Sequence, residues 1–163
     1  MTTSNLSPVS EVSAAEAALC ALAKRMLALV AATLHHQFPT GAYLVLTRPV
    51  DGSDDDSVRL DSVRAARGEI VWSFTEKPHE EHLLPAVSEE IEALWGDSNP
   101  RNTDDVLNLI QRVDRLALYE FLQFLPEECQ TEDEIEDAEG WGRTPLGIAL
   151  GPASEPTAPG ASA

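Results

Sequence analysis

Residues 58–74 read VRLDSVRAARGEIVWSF, and this stretch decides the fold that the sequence predicts. Its first half alternates between apolar and polar residues, which is the period of a β-strand. The alternation places Val58, Leu60 and Ser62 on one face and Arg59, Asp61 and Val63 on the other. Residues 66–68 then form a turn that contains glycine. The second half places on one face of another strand three large apolar side chains: Ile70, Trp72 and Phe74.

An earlier strand is predicted before this pair. Residues 42–48 read AYLVLTR, are rich in strand-forming side chains, and are stopped by Pro49. The connection at residues 49–57 contains Gly52 and a run of aspartates, which suit a polar loop. Short connections favour antiparallel pairing, so we expect the three strands to form a meander. Helices are needed to cover its apolar face.

A long helix is predicted ahead of the strands. Ser13 and Glu16 match a capping box, in which the hydroxyl and the carboxylate satisfy free amide donors at a helix start. The helix is expected to end near Phe38 and Pro39. Its apolar stripe recurs at three- and four-residue steps and should face the core: Leu19, Leu22, Met26, Leu29 and Val30.

Two further helices are predicted after the strands. The first spans roughly residues 84–96 and ends at a glycine. The second is capped by Thr103, shows a sustained helical period over residues 106–124, and is closed by Pro126. The predicted fold class is therefore α+β, with a long N-terminal helix, a three-stranded antiparallel meander and two C-terminal helices in the order α-β-β-β-α-α.

One domain accounts for most of the 163 residues, because domains commonly contain about 100–200 residues. The predicted α+β domain covers residues 13–126 and follows a flexible leader at residues 1–12. Beyond it lie an acidic segment at 127–139, a short apolar segment at 140–151, and a tail at 152–163. The composition of the tail, rich in Pro, Ala, Ser and Gly, predicts disorder.

The chain is strongly acidic, with 28 acidic and 11 basic residues and a formal net charge of -17. This charge repels phosphate backbones and anionic lipids, so no direct nucleic-acid or membrane partner is expected. Glu16, Lys24 and Arg25 interrupt the longest apolar stretch, which argues against a transmembrane helix. Residues 1–12 lack the basic start of a secretory signal, and the two cysteines form no disulfide framework, so a cytoplasmic location is expected.

The acidic segment is the most unusual feature of the sequence. It contains eight acidic residues and no basic one, and their mutual repulsion opposes compact folding. One interpretation is a solvated linker, and the other is a docking surface for a basic protein. The apolar stretch at 141–150 either folds back onto the domain or binds another protein as a short linear motif. The predicted partner-binding residues are Glu127, Glu128, Glu132, Asp133, Glu134, Glu136, Asp137, Glu139 and Trp141.

The sequence contains no nucleophile elbow, no glycine-rich phosphate loop and no dinucleotide fingerprint. Cys20 lies near the apolar side of the first helix, and the acidic neighbours of Cys129 disfavour a thiolate. His79 and His82 are spaced three apart and would suit a metal on a helix, but metalloproteases use a step of four and no third ligand is evident. No catalytic residue, metal or cofactor is therefore predicted.

Two classes of function remain. The first is a non-enzymatic cytosolic module that binds a basic protein, as an adaptor, antagonist, immunity-type inhibitor or chaperone would. The alternative is a small enzyme or ligand-binding domain with a pocket between sheet and helices, for which the residues of interest are Tyr43, Trp72, His79 and Glu80. A homodimer is a further hypothesis, because the first helix and the helix from Val106 offer more apolar surface than three strands can cover.

Overall fold

A computed structural model describes residues 7–47, 58–74, 83–117, 123–141 and 145–150. A long N-terminal helix, antiparallel strands and later helices make the protein a mixed α+β fold, which confirms the predicted fold class. The helices are α1 (Pro8–Gln37), α2 (Glu89–Leu94), α3 (Thr103–Ala117) and α4 (Glu132–Trp141), with a 3₁₀ turn at Glu127–Cys129. The strands are β1 (Tyr43–Thr47), β2 (Arg59–Arg64), β3 (Ile70–Ser73), β4 (Gln123–Phe124) and β5 (Leu146–Ala149).

The sheet is antiparallel and has the strand order β3-β2-β1-β5-β4. The predicted meander is confirmed, because β1 pairs with β2 and β2 pairs with β3. The sequence did not predict β4 and β5. Since β5 pairs with β1, the late segment of the chain completes the sheet beside its earliest strand.

A β-bulge changes which side chains of β2 face the core. Val45 pairs with Ser62 and Leu46 pairs with Leu60, so Asp61 is an extra residue in β2. The strict alternation predicted for β2 is therefore wrong beyond Leu60. Leu60 and Val63 both lie in the helix-covered core, and Ser62 lies on the opposite face of the sheet.

The adjoining strand has a second irregularity. Val63 pairs with Trp72 and Arg64 pairs with Ile70, which leaves Val71 as the extra residue of β3. Ile70 is exposed, whereas Val71 and Trp72 pack against the core, so the prediction that Ile70 shares the buried face is wrong. The Trp72 ring lies against Phe38, with 5.4 Å between the ring centroids.

Helix α1 begins at Pro8, five positions before the predicted Ser13. Ser7 caps it, since its Oγ accepts a hydrogen bond from the backbone amide of Ser10 at 3.2 Å. Pro8 suits the first helical position because the amide it lacks would have no partner there. At the other end, the amide of Phe38 donates to the carbonyl of Leu34.

The later helices are shorter than predicted. Ser88 caps α2, and Leu84, which precedes this helix, is buried, with its amide bonded to the carbonyl of Arg101. Asn102, rather than Thr103, supplies the capping side chain of α3 by accepting from the amides of the first turn. The described part of α3 ends at Ala117, and residues 123–124 form β4, so the helical period predicted up to Phe124 is wrong in its last part.

The two faces of the sheet are covered differently. Helices α1 and α3 pack together over one face, where the fully buried side chains include Val30 and Leu34 of α1 and Val106 and Ile110 of α3. On the other face, a smaller cluster contains Val45, Leu125 and Cys129, with Tyr43 packed against it. This second face is where the acidic segment is attached.

By length and composition alone, α1 could cross a membrane, despite the charges that argued against this. Core helices of soluble proteins also satisfy that criterion. Here the inner part of α1 belongs to the core, as the buried residues Val30, Leu34 and Gln37 show.

Candidate acidic docking surface

The predicted acidic segment forms secondary structure rather than a loose connection. Thr131 caps the N-terminus of α4. Its Oγ1 accepts a hydrogen bond from the amide of Glu134 at 3.2 Å and donates one to the carboxylate of Glu134 at 3.1 Å. The three acidic residues of the first turn lie at the positive end of the helix dipole, which stabilises them. Capping and dipole together offset the repulsion on which the sequence argument depended.

Arg64 of β2 anchors α4 to the sheet. Its side chain is 3% exposed, and its Nη2 and Nη1 donate to the two carboxylate oxygens of Glu134 at 2.6 and 3.2 Å. The same guanidinium donates to the carbonyl of Cys129 at 2.9 Å, to Asp61 at 3.1 Å and to the Oγ of Ser62 at 3.0 Å. A planar guanidinium is suited to such a two-point carboxylate contact.

Arg64 remains charged in this position. Burial alone would lower its pKa, but the hydrogen bond and the charge of Glu134, together with Asp61, outweigh burial and raise the pKa above its ordinary value. A buried cation of this kind is stable only while its partners are present. The pair therefore couples the position of α4 to the sheet.

The 3₁₀ turn that precedes α4 packs against the turn between β2 and β3. The thiol of Cys129 donates to the carbonyl of Ala66 at 3.1 Å. Gly68 has φ +93° and a Cβ there would lie 3.3 Å from Cys129 and from the carbonyl of Glu128, so glycine suits this turn for two reasons. Burial, followed by the charge of Glu128, raises the pKa of Cys129, which keeps it a neutral thiol.

The structure divides into two groups those predicted partner-binding residues whose side chains it describes. Glu134 is half-buried and engaged by Arg64, so it holds the segment in place. The side chains of Asp137 and Trp141 lie outside the described part of the structure. The remaining carboxylates are exposed: Glu127, Glu128, Glu132, Asp133, Glu136 and Glu139. Among them, Glu132, Glu136 and Glu139 share one face of α4, because they are spaced at i, i+4 and i+7.

The apolar stretch that follows α4 folds back onto the domain through β5. Ile148 is buried in the core beneath the helices, and Gly147 faces the opposite side. A Cβ on Gly147 would lie 3.1 Å from Cδ1 of Leu125, so the glycine allows the chain leading to the 3₁₀ turn to lie close to the sheet. The tail predicted at 152–163 lies outside the described residues.

The residues named for a pocket or a metal do not come together in the described structure. Tyr43 packs with Val45 on the face of the acidic segment, whereas Trp72 packs on the helix-covered face. His79, Glu80 and His82 lie outside the described residues. Within the ranges that the structure describes, no group of three His, Cys, Asp or Glu side chains is placed to hold a metal ion.

Two residues of the site were not singled out by sequence reasoning. The sequence pattern does not point to Arg64, and it indicates for Cys129 only that a thiolate is disfavoured. A signal for Arg64 lies in the spacing of Leu60 and Val63, because an apolar step of three inside a strand indicates a bulge and a change of face.

Comparison of the chain with models of protein families, with curated proteins and with solved structures found no match.

Proposed function

We propose that this protein is a non-enzymatic cytosolic binding module whose acidic α4 face docks a basic protein partner. The observation that carries the proposal is the attachment of α4: Glu134 is bound by the buried Arg64, while the neighbouring carboxylates remain exposed on a fixed helix. A binding surface gains affinity when its charges are held in place before the partner arrives.

The distribution of charge on α4 favours a cationic partner. Glu132 and Glu136 are spaced at i and i+4 on one face, where like charges destabilise a helix by about 0.2–0.5 kcal/mol for each pair. The described helix has no basic residue to relieve this repulsion. Lys or Arg side chains of a partner would supply the missing charge, and the net charge of -17 would speed their approach.

The test compares two triple variants of the full chain that remove the same charge from different helices. The first is Glu132→Gln, Glu136→Gln and Glu139→Gln on α4. The control is Glu89→Gln, Glu90→Gln and Glu92→Gln on α2, whose three carboxylates are also exposed. Each chain is used for affinity capture from a lysate of the source organism, and bound proteins are identified by mass spectrometry.

The proposal requires a basic protein that the native chain and the α2 variant retain and that the α4 variant loses. Retention should also fall as salt is raised, because the contact is electrostatic and exposed. Equal capture by both variants, or equal loss from both, contradicts docking at α4. Circular dichroism of each variant verifies that the fold is unchanged.

A further inference from the structure

The N-terminal half of α1, residues 8–22, is largely exposed and is called the outer half of the helix below. Each residue from Ser7 to Leu19 is exposed, although this part of the helix contains large apolar side chains. Val12, Leu19 and Leu22 are 56%, 43% and 45% exposed. Helices in proteins derive most of their stability from packing of an apolar face, which this half does not receive from the described part of its own chain.

The exposed apolar residues form a regular seam. Val12, Ala15, Leu19, Leu22, Met26 and Leu29 follow one another at alternating steps of three and four. This spacing keeps apolar side chains along one side of a helix that faces another helix. The last two members, Met26 and Leu29, already pack against the core of the domain. The outer half therefore extends the same seam beyond the point where α3 and the sheet cover it.

We propose that the outer half of α1 pairs in antiparallel orientation with the same segment of a second copy of this chain. In the register that aligns the seams, Val12 packs against Leu22 of the second copy, and Ala15 packs against its Leu19. Each of these pairs combines a larger and a smaller side chain, so the two helices keep an even separation along the interface. The core contacts run from Val12 to Leu22, which corresponds to about 15 Å of helix at 1.5 Å per residue.

Charge complementarity selects this occupant and this orientation. Glu11 and Arg25 flank the seam on the same side, near its outer and inner ends. Antiparallel pairing brings Glu11 of one copy next to Arg25 of the other, and symmetry repeats the contact. Parallel in-register pairing would instead place Glu11 of each copy beside Glu16 of the other, which brings like charges together. Antiparallel pairing also leaves the two domains at opposite ends, since the fully buried Ala23 marks where the domain begins.

This inference differs from the homodimer hypothesis drawn from the sequence, in which α1 and the helix from Val106 both form the interface. The helix from Val106 is not available as a seam, because Val106, Ile110 and Val113 of α3 are buried against the chain's own core. The interface is also separate from the acidic face of α4. The test of α1 pairing and the test of docking at α4 therefore have independent outcomes.

Analytical ultracentrifugation of the full chain over a wide concentration range tests the pairing. We expect a reversible monomer–dimer equilibrium, and we expect Leu19→Glu to weaken it by more than about tenfold, since the charge would be buried twice in the symmetric interface. Leu94→Glu is the matched control, because Leu94 is an exposed leucine on α2 and lies outside the seam. Circular dichroism establishes that both variants remain folded.

A charge exchange tests the orientation. Glu11→Arg and Arg25→Glu should each weaken the dimer, and the chain that carries both changes should recover native affinity, because every contact is again between opposite charges. In the same register Glu16 lies near Glu16 of the second copy, so Glu16→Gln should strengthen the dimer. Failure of the double variant to recover affinity contradicts the antiparallel register.

A chain that remains monomeric at the highest concentration overturns the proposal. So does a dimer whose affinity Leu19→Glu leaves unchanged. Since α1 is also apolar and long enough to contact lipid, the native chain is sedimented with vesicles of phosphatidylcholine and phosphatidylglycerol. A monomer that binds these vesicles, and loses binding with Leu19→Glu, would assign the seam to a membrane instead.

Discussion

Arg64 of β2 and Glu134 of α4 lie 70 positions apart in the chain and are joined by two hydrogen bonds, with 2.6 Å between Nη2 and Oε1. This contact is the main polar link between the acidic helix and the sheet in the described structure. It explains how a segment rich in like charges keeps a defined position. It also means that one carboxylate of the segment has a different role from its neighbours.

Glu134→Gln should therefore destabilise the protein, although it lowers the negative charge of the segment. The substitution weakens a charge-assisted contact to a buried guanidinium, which costs about 1–3 kcal/mol. Glu136→Gln is the control: Glu136 is exposed, and surface changes of this kind stay within about 0.5 kcal/mol. Urea denaturation of both variants measures the difference. A Glu134→Gln protein as stable as the control would show that Arg64 is satisfied by its other partners.

A second buried contact joins α1 to the end of α2. The indole nitrogen of Trp95 donates to Oγ1 of Thr33 at 2.9 Å, and both side chains are buried. Thr33→Val keeps the shape of the side chain but leaves the indole N–H without its acceptor, so we expect a loss of about 1–3 kcal/mol. The double-mutant cycle with Trp95→Phe should give a coupling energy of about 0.5–3 kcal/mol. Additive effects of the two substitutions would contradict a stabilising role for this hydrogen bond.

Two glycines should respond to alanine in opposite directions. Gly147 faces Leu125, which is 2% exposed and has little room to move, so Gly147→Ala should cost about 1–3 kcal/mol through overpacking. Gly140 of α4 has nothing within 4 Å of an added Cβ, so Gly140→Ala should stabilise the helix by about 0.5–1 kcal/mol. Thermal unfolding of the two variants gives the sign of each change. Stabilisation by Gly147→Ala would mean that Leu125 yields to the added methyl group.

The hydrophobic periodicity of the sequence correctly predicted the helices and strands that depend only on residues close together in the chain. The meander of β1, β2 and β3 and the helical face of α3 follow from residues close together in the chain, and both are present. Phe124 fitted a helical period but lies in a strand, because pairing with Leu146 of β5 overrides the local pattern. The bulge at Asp61 likewise depends on how β2 meets its neighbour.

The candidate site was predictable only in its composition. The run of carboxylates identified the segment, but nothing in the run distinguishes Glu134 from Glu136, because the difference is the position of Arg64 on a distant strand. The place of β5 depends in the same way on β1, which lies far earlier in the sequence. Contacts across long stretches of chain carry no local signal, and they decide which residues anchor and which remain exposed.

The raised pKa of Cys129 predicts that stability falls under alkaline conditions. Burial and the charge of Glu128 favour the neutral thiol in the folded chain, so the folded pKa exceeds the unfolded one. The contribution to stability is therefore complete below the unfolded pKa, ordinarily about 8.5, and is lost as pH rises through the folded pKa. Denaturation at neutral and alkaline pH should show a smaller alkaline loss for Cys129→Ala than for the native chain. Equal alkaline losses in the native and Cys129→Ala proteins would mean that ionisation of this thiol does not oppose the packing of the 3₁₀ turn on the sheet.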